Sequence, residues 1–256
     1  MKISLFVLAA AAVTAISGSL LGTPAAARWA TPTVVLVHGA FADGSSWSKV
    51  IPLLQARGLK VIAVQNPLTS LADDVAFAKR TIDAQQGPVV LVGHSWGGTV
   101  ITQAGNNDRV KALVYVAAFA PSKGESTLDQ VKPYPASPGL AKPQVDASGH
   151  LTLSPETIAK DFAQDVSKEE ANLIATTQGA IRGANFEEKV TAAAWESKPS
   201  WSIFGESDRM IDPQLLKDSA QKIKAKTTVL TTSHVPMLSQ PEAVAKVIIE
   251  AANSIQ

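Results

Sequence analysis

From Thr33 onward, short runs of β-branched and aliphatic residues alternate with longer stretches whose apolar positions recur every three or four residues. That rhythm predicts strand–helix–strand units on a parallel sheet. Thr33 to Val37 (TVVLV) reads as a strand buried on both faces. Trp47 to Ala56 follows, with Trp47, Val50, Ile51, Leu53 and Leu54 at helical spacing and Gly58 as its C-terminal stop. Lys60 to Val64 is the next predicted strand. Leu71 to Gln85 is the second predicted helix, with Leu71, Val75, Ala78 and Ile82 on one face. Asp73 and Asp74 sit in its first turn, where the helix dipole favours negative charge. Gly87-Pro88 stops it. A strand at Val89 to Val92, a glycine turn, a helix from Gly98 to Ala104 and a strand at Ala112 to Val116 complete the first half.

Between Phe119 and Trp195 the rhythm breaks. Pro121, Pro133, Pro135, Pro138 and Pro143 predict a loop-like first part, and Pro155 to Ala163, Lys168 to Thr177 and Phe186 to Ala194 predict short helices, together an inserted cap. The alternation resumes with a strand at Ser200 to Phe204, a helix from Pro213 to Ile223, a strand at Thr227 to Leu230 and a helix from Pro241 to Ala252. The predicted fold class is α/β: one domain over residues 28–256, a mainly parallel sheet flanked by helices, with the cap inserted at about 119–195.

The first thirty residues follow another pattern. Lys2 is the only charge before Arg28, Ile3 to Leu21 is an apolar run, and Thr23-Pro24-Ala25-Ala26-Ala27 offers an A-x-A site. This predicts a signal peptide over residues 1–27, cleaved after Ala27, and a periplasmic or secreted product without stable membrane association. An uncleaved anchor and a buried helix are the alternatives.

Composition narrows the chemistry. A net charge of +1 with scattered basic residues speaks against nucleic acid as a partner. With no cysteine, thiolate nucleophiles, disulfides and zinc–thiolate sites are excluded. No metal-ligand spacing and no G-x-G-x-x-G run is present, so no cofactor is expected. The oligomeric state is left open.

Gly93-His94-Ser95-Trp96-Gly97-Gly98 is a G-x-S-x-G motif between a predicted strand and a predicted helix. A serine on so tight a turn has its Oγ raised above the sheet, and the flanking glycines let neighbouring chains approach. In the α/β hydrolases that this strand–turn–helix resembles, the acid and then the base follow the serine along the chain. Of four histidines, only His150 and His234 lie beyond Ser95. His150 falls in a polar cap turn and reads as a surface side chain. His234 lies between the last strand and the last helix, and is the candidate base. Among Glu206, Asp208 and Asp212, Asp208 is placed to reach back to it; Asp212 precedes Pro213 and reads as a helix cap, Glu206 as solvated. Asp129 in the cap is the outside candidate. His38-Gly39-Ala40-Phe41 after the first strand predicts the oxyanion loop, with backbone N–H donors from Trp96 and from Ala40 or Phe41. His38 and His94 read as loop anchors.

The run Val34 to Phe41 with Trp47, the GHSWGG turn, the Asp208 loop and Ser233-His234-Val235-Pro236-Met237-Leu238-Ser239-Gln240-Pro241 resemble the esterase/hydroxynitrile-lyase branch of the α/β hydrolases, including plant methylesterases. The resemblance covers nearly all of residues 28–256 and implies a serine carboxylic ester hydrolase acting through an acyl-enzyme on a small ester or lactone. The plant lyases of this branch carry lysine after the catalytic histidine and threonine where Gly39 stands; Val235 and Gly39 here favour ester hydrolysis. A cofactor-free perhydrolase or haloperoxidase-like enzyme and a non-catalytic small-molecule receptor are the alternatives within the fold. Phe41, Trp96, Phe119, Trp195 and Met237 are the expected substrate contacts.

Overall fold

The computed structural model describes residues 31–255. The expected signal peptide lies outside the described residues.

Six parallel strands form the central sheet: β1 (Thr33–Val37), β2 (Lys60–Val64), β3 (Val89–His94), β4 (Val110–Val116), β8 (Ser200–Gly205) and β9 (Lys226–Leu230), in the order β2-β1-β3-β4-β8-β9. Every residue of β1 and β3 is buried, as strands covered on both faces require. Helices α1 (Val50–Gln55), α2 (Leu71–Asp83), α3 (Trp96–Ala104), α7 (Pro213–Lys222) and α9 (Pro241–Asn253) connect or follow these strands, and α8 (Pro236–Ser239) is a single turn before α9. Their termini follow the local chemistry: the Ser70 hydroxyl accepts from Asp73 N at the start of α2, and Asp212 accepts from Gln214 N ahead of Pro213, the capping role expected of it.

The chain leaves β1 toward β2 on one side and reaches β3 on the other, so the sheet order switches between β1 and β3. Crevices in parallel sheets open at such points, beyond the carboxyl ends of the strands. The register aligns Val37 with Gly93, Gly93 with Tyr115 and Gly205 with Leu230, which brings the loops after β1, β3, β4, β8 and β9 to one edge.

Between β4 and β8 lies the cap. It holds α4 (Thr127–Val131), a three-stranded antiparallel sheet of β5 (Gln144–Val145), β6 (His150–Thr152) and β7 (Ile181–Arg182), then α5 (Pro155–Thr157), a π-helical turn at Ile158–Phe162 and α6 (Lys168–Thr177). The helix expected at Phe186 to Ala194 does not form; short 3-10 turns at Gly183–Glu187 and Ala194–Glu196 flank irregular chain. Its polar residues bond across segments instead, with Val190 N donating to Glu125 O. Nor is the first part of the cap all loop: Ser126 and Asp129 form a capping box that starts α4. No described helix is long and apolar enough to cross a membrane.

Candidate active site

Ser95 sits between β3 and α3 with φ 52° and ψ −119°, outside the conformations comfortable for a residue with a Cβ. The turn holds because its neighbours are small: a Cβ on Gly97 would lie 2.5 Å from Val37 O. Ser95 N donates to Val116 O, and Ser95 O accepts from Gly98 N and Phe119 N, so the backbone on both sides is fixed. Its Oγ makes no hydrogen bond among the described residues and faces a cavity.

Asp208 and His234 meet in the buried layer beneath that cavity. His234 Nδ1 donates to Asp208 Oδ2 at 2.7 Å. The other oxygen, Oδ1, accepts from Met210 N at 2.8 Å and Ile211 N at 2.9 Å, so each acceptor atom of the carboxylate is used. With Nδ1 carrying the proton, His234 Nε2 is a bare acceptor. Ser95 and His234 line the same cavity, and no hydrogen bond joins Ser95 Oγ to His234 Nε2 here; such bonds commonly tighten only when substrate is bound. Asp129 is used elsewhere, in its capping box and in ion pairs with Lys132 and Lys189. His150 is half-buried on β6, with Nδ1 2.9 Å from Ser148 Oγ.

His94 and His38 are anchors within the protein. His94 Nε2 donates to the His234 carbonyl at 2.9 Å, and its ring lies 4.8 Å from the His234 ring. His38 Nε2 accepts from Asn66 N at 2.9 Å and its Nδ1 donates to Gly39 O at 2.8 Å. Burial lowers the pKa of both, so both are neutral.

The N–H groups of Ala40, Phe41 and Trp96 have no acceptor among the described residues. Phe41 has φ 57°, a second strained residue beside the cavity. Unpaired donors on the two loops flanking the sheet's switch point can hold a developing oxyanion.

The cavity, about 300 Å3, is lined by Ser95 and His234 together with Phe41, Phe119, Leu128, Val131, Phe186 and Ile211 among others, and no Lys, Arg, Asp or Glu among the described residues contributes to its wall. Of the five side chains named from the sequence, Phe41 and Phe119 line this cavity, and Trp96, Trp195 and Met237 do not. The Trp96 indole turns away to donate to Asp74, and Trp195 Nε1 donates to Pro121 O under the cap. Met237 packs at the start of α8 and faces a separate cavity with Ala42, Phe162 and Leu173. Reading these three as wall residues fails because aromatic and thioether side chains pack equally well into core.

The cap also touches the loops that carry Asp208 and His234, a feature without a sequence motif. Asp161 pairs with Arg209 Nε at 2.6 Å, Gln164 Nε2 donates to Ser207 O at 2.7 Å, and Asp165 Oδ2 accepts from Ser233 N at 2.8 Å. Phe162 lies edge-on to His234 at 5.2 Å. Part of this contact comes from the π-helical turn at Ile158–Phe162, which sequence periodicity does not show.

This sheet order, with a strained serine after β3 and an aspartate–histidine pair after β8 and β9, agrees with the comparison of the chain against known families: the model of the alpha/beta hydrolase family matches residues 34–247. The chain belongs to the alpha/beta hydrolase family. Among curated relatives, a probable hydrolase, R7, from Phoma sp. is 28% identical over 246 residues, covering 86% of this chain and 98% of its own. Polyneuridine aldehyde esterase from Rauvolfia serpentina is 23% identical over 261 residues, covering 86% and 95%. Its crystal structure superposes with a TM-score of 0.74 over 86% of this chain and 99% of that one, at 21% identity. An alpha-hydroxynitrile lyase from Arabidopsis thaliana matches a shorter stretch, 30% identical over 120 residues, 41% of this chain and 46% of the lyase. The curated proteins to which the chain is similar thus include both an esterase and a hydroxynitrile lyase, the two activities of the branch that the sequence resembles.

Proposed function

We propose that this α/β hydrolase is a serine carboxylic ester hydrolase that cleaves small, uncharged, largely apolar esters through an acyl-enzyme. The observation that carries the reading is the buried Asp208–His234 hydrogen bond at 2.7 Å, with His234 and Ser95 facing one cavity. As Ser95 Oγ attacks the ester carbonyl, His234 Nε2 takes its proton, and the Asp208 carboxylate stabilises the imidazolium. The carbonyl oxygen, now an oxyanion, accepts from the N–H groups of Trp96 and of Ala40 or Phe41. The C–O bond to the leaving group then breaks, and His234 returns the proton to the departing alcohol. Water, deprotonated by the same imidazole, attacks the acyl carbonyl and releases the acid and Ser95.

Two features favour ester hydrolysis over cyanohydrin cleavage. Val235, buried after His234, supplies no cation for a departing cyanide. A Cβ on Gly39 would lie 2.8 Å from Ser95 Cβ, so the threonine of the plant lyases does not fit beside this serine. The uncharged wall sets the substrate class: a carboxylate or ammonium moved into it would lose its hydration without a partner. Size agrees, since about 300 Å3 lies at the small end of ligand cavities. The reading extends to location: the A-x-A site ending at Ala27 supports export.

Initial rates on p-nitrophenyl butyrate and on the p-nitrophenyl monoester of succinate test this directly. Turnover of the butyrate, its loss in Ser95→Ala, and a kcat/KM at least ~100-fold lower for the anionic ester are expected from an unpaired charge on an apolar wall. Equal rates on both esters, or turnover that survives Ser95→Ala, would contradict the proposal.

A further inference from the structure

Asp74, in the first turn of α2, is fully buried, yet it lies outside the aspartate–histidine pair. No cation neutralises it among the described residues; its charged neighbours are the carboxylates Asp73 and Glu188. Two N–H groups serve it instead. Trp96 Nε1 donates to Oδ2 at 2.7 Å and Leu68 N donates to Oδ1 at 2.8 Å. Burial pushes its pKa up to about 6 against the lowering effect of these two donors. A buried carboxylate held in this way is costly, and an apolar residue would fill the space at lower cost.

Both donors belong to strained or functional backbone. Leu68 has φ 60°, and its carbonyl is taken by Asn185 Nδ2 at 3.0 Å and Arg182 N at 3.0 Å, both from the cap. Trp96 is the first residue of α3, directly after Ser95, and its indole is also gripped by Phe186 at 5.5 Å between ring centres. Phe186 in turn lines the substrate cavity. With its indole held at the far end by Asp74 and Phe186, the Trp96 side chain adds a constraint on the backbone that carries its N–H.

We propose that Asp74 is a positioning residue of the oxyanion hole, holding the Trp96 indole so that the Trp96 backbone N–H stays aimed at the oxyanion formed on Ser95. This rests on the serine-hydrolase reading above. A displaced donor weakens the transition state and leaves ground-state binding nearly untouched, so the loss falls on kcat. Removing one oxyanion donor outright costs about 10²- to 10³-fold in kcat; a donor that is loosened but present costs less, roughly 10- to 50-fold.

The test is a double-mutant cycle of Asp74→Asn and Trp96→Phe on p-nitrophenyl butyrate, with Ki for an alkyl trifluoromethyl ketone, which forms a tetrahedral adduct with serine, as a second readout. Asparagine keeps the shape of Asp74 but sets an NH2 against one of its two donors; phenylalanine keeps an aromatic ring on the side of Phe186 and removes the indole N–H together with part of the bicyclic ring. Each single variant is expected to lose about 10- to 50-fold in kcat with KM within about 3-fold, to weaken the ketone by the same factor as kcat/KM, and the pair to be no worse than about 3-fold below the lower single. Assays run 20 °C or more below each variant's Tm. Should Asp74→Asn fail to fold, Trp96→Phe decides alone. Losses that multiply, losses carried by KM, or a folded Trp96→Phe with wild-type kcat and ketone affinity would overturn the proposal. A wild-type enzyme that turns over no ester and takes no ketone would instead overturn the hydrolase reading itself.

Discussion

Gly39 offers a direct way to displace Ser95, the proposed nucleophile, without touching it. Its ideal Cβ would stand 2.8 Å from Ser95 Cβ and 3.0 Å from both His94 Nδ1 and His94 O, where ordinary contact begins near 3.4 Å. In Gly39→Ala, Ser95 and the Gly39 loop must therefore separate by roughly 0.6 Å, and neither side yields easily. Ser95 is already strained at φ 52° with its N–H and C=O bonded on both sides, and the loop is tied through His38 to Asn66. The displacement opens the gap between Ser95 Oγ and the Ala40 and Phe41 donors. Misplacement by about 1 Å costs on the order of 100-fold in rate, so a kcat loss of about 10- to 100-fold with little change in KM is expected. Overpacking of this kind costs roughly 1–3 kcal/mol, a fall in Tm of about 2–12 °C for a domain of this size. Gly183→Ala is the control, because the nearest atom to its added Cβ is 3.5 Å away. Steady-state hydrolysis of p-nitrophenyl butyrate and the rate of fluorophosphonate labelling read the site; thermal denaturation reads the fold. A Gly39→Ala enzyme with kcat and labelling rate within about 2-fold of wild type would refute the packing argument.

Other perturbations have equally definite outcomes. Asp208→Asn preserves the shape of the pair but favours the wrong imidazole tautomer; kcat is expected to fall by about 10⁴-fold, and a loss under 10-fold would mean another group orients His234. Asp165→Ala frees Ser233 N and Asp161→Ala leaves Arg209 without its partner. Each is expected to lower kcat by several-fold while changing Tm by only a few degrees, with unchanged kcat contradicting a role for the cap in holding the two loops. For stability against pH, His38 and His94 have native pKa values below 6.5 through burial, so the unfolded chain binds protons that the native state refuses. Tm is expected to hold above about pH 6.5 and to fall as pH drops through it. Asp74, raised to about 6, acts in the opposite sense between about pH 4 and 6, because there the native state holds the extra proton. In Asp74→Asn the fall in Tm on acidification from pH 6 to 4 is expected to be steeper than in wild type, and a shallower slope would contradict the assignment.

The sheet was legible because its strands are short, mostly β-branched or aliphatic and recur at similar intervals on either side of the cap, and because β1 and the first four residues of β3 are wholly apolar or β-branched. Ser95, Asp208 and His234 could be singled out for a related reason: each follows a strand, and the order of the strands puts all three at one edge. The cap was legible only in part. Its two-residue strands at Gln144–Val145 and Ile181–Arg182 are too short to show a period, and the second pairs with β6, a strand that lies well before it in the sequence. The cavity wall was less legible still. Trp96 stands beside Ser95, but its indole points at Asp74, a residue that periodicity accounts for fully as a favourable charge in a first helical turn. Phe186 lies in a 3-10 turn and Leu128 in the five-residue α4, both too short for a spacing rule to say which side chain turns inward.

His234 is proposed to activate Ser95 for covalent attack. The most direct measurement is intact mass after brief exposure of the protein to a fluorophosphonate, with fragment mapping and with Ser95→Ala and His234→Ala alongside. One adduct per chain, mapped to Ser95, absent from Ser95→Ala and formed at least ~100-fold more slowly in His234→Ala, is the expected result. A folded wild-type protein that takes no adduct, or one labelled elsewhere while Ser95 stays unmodified, would contradict it.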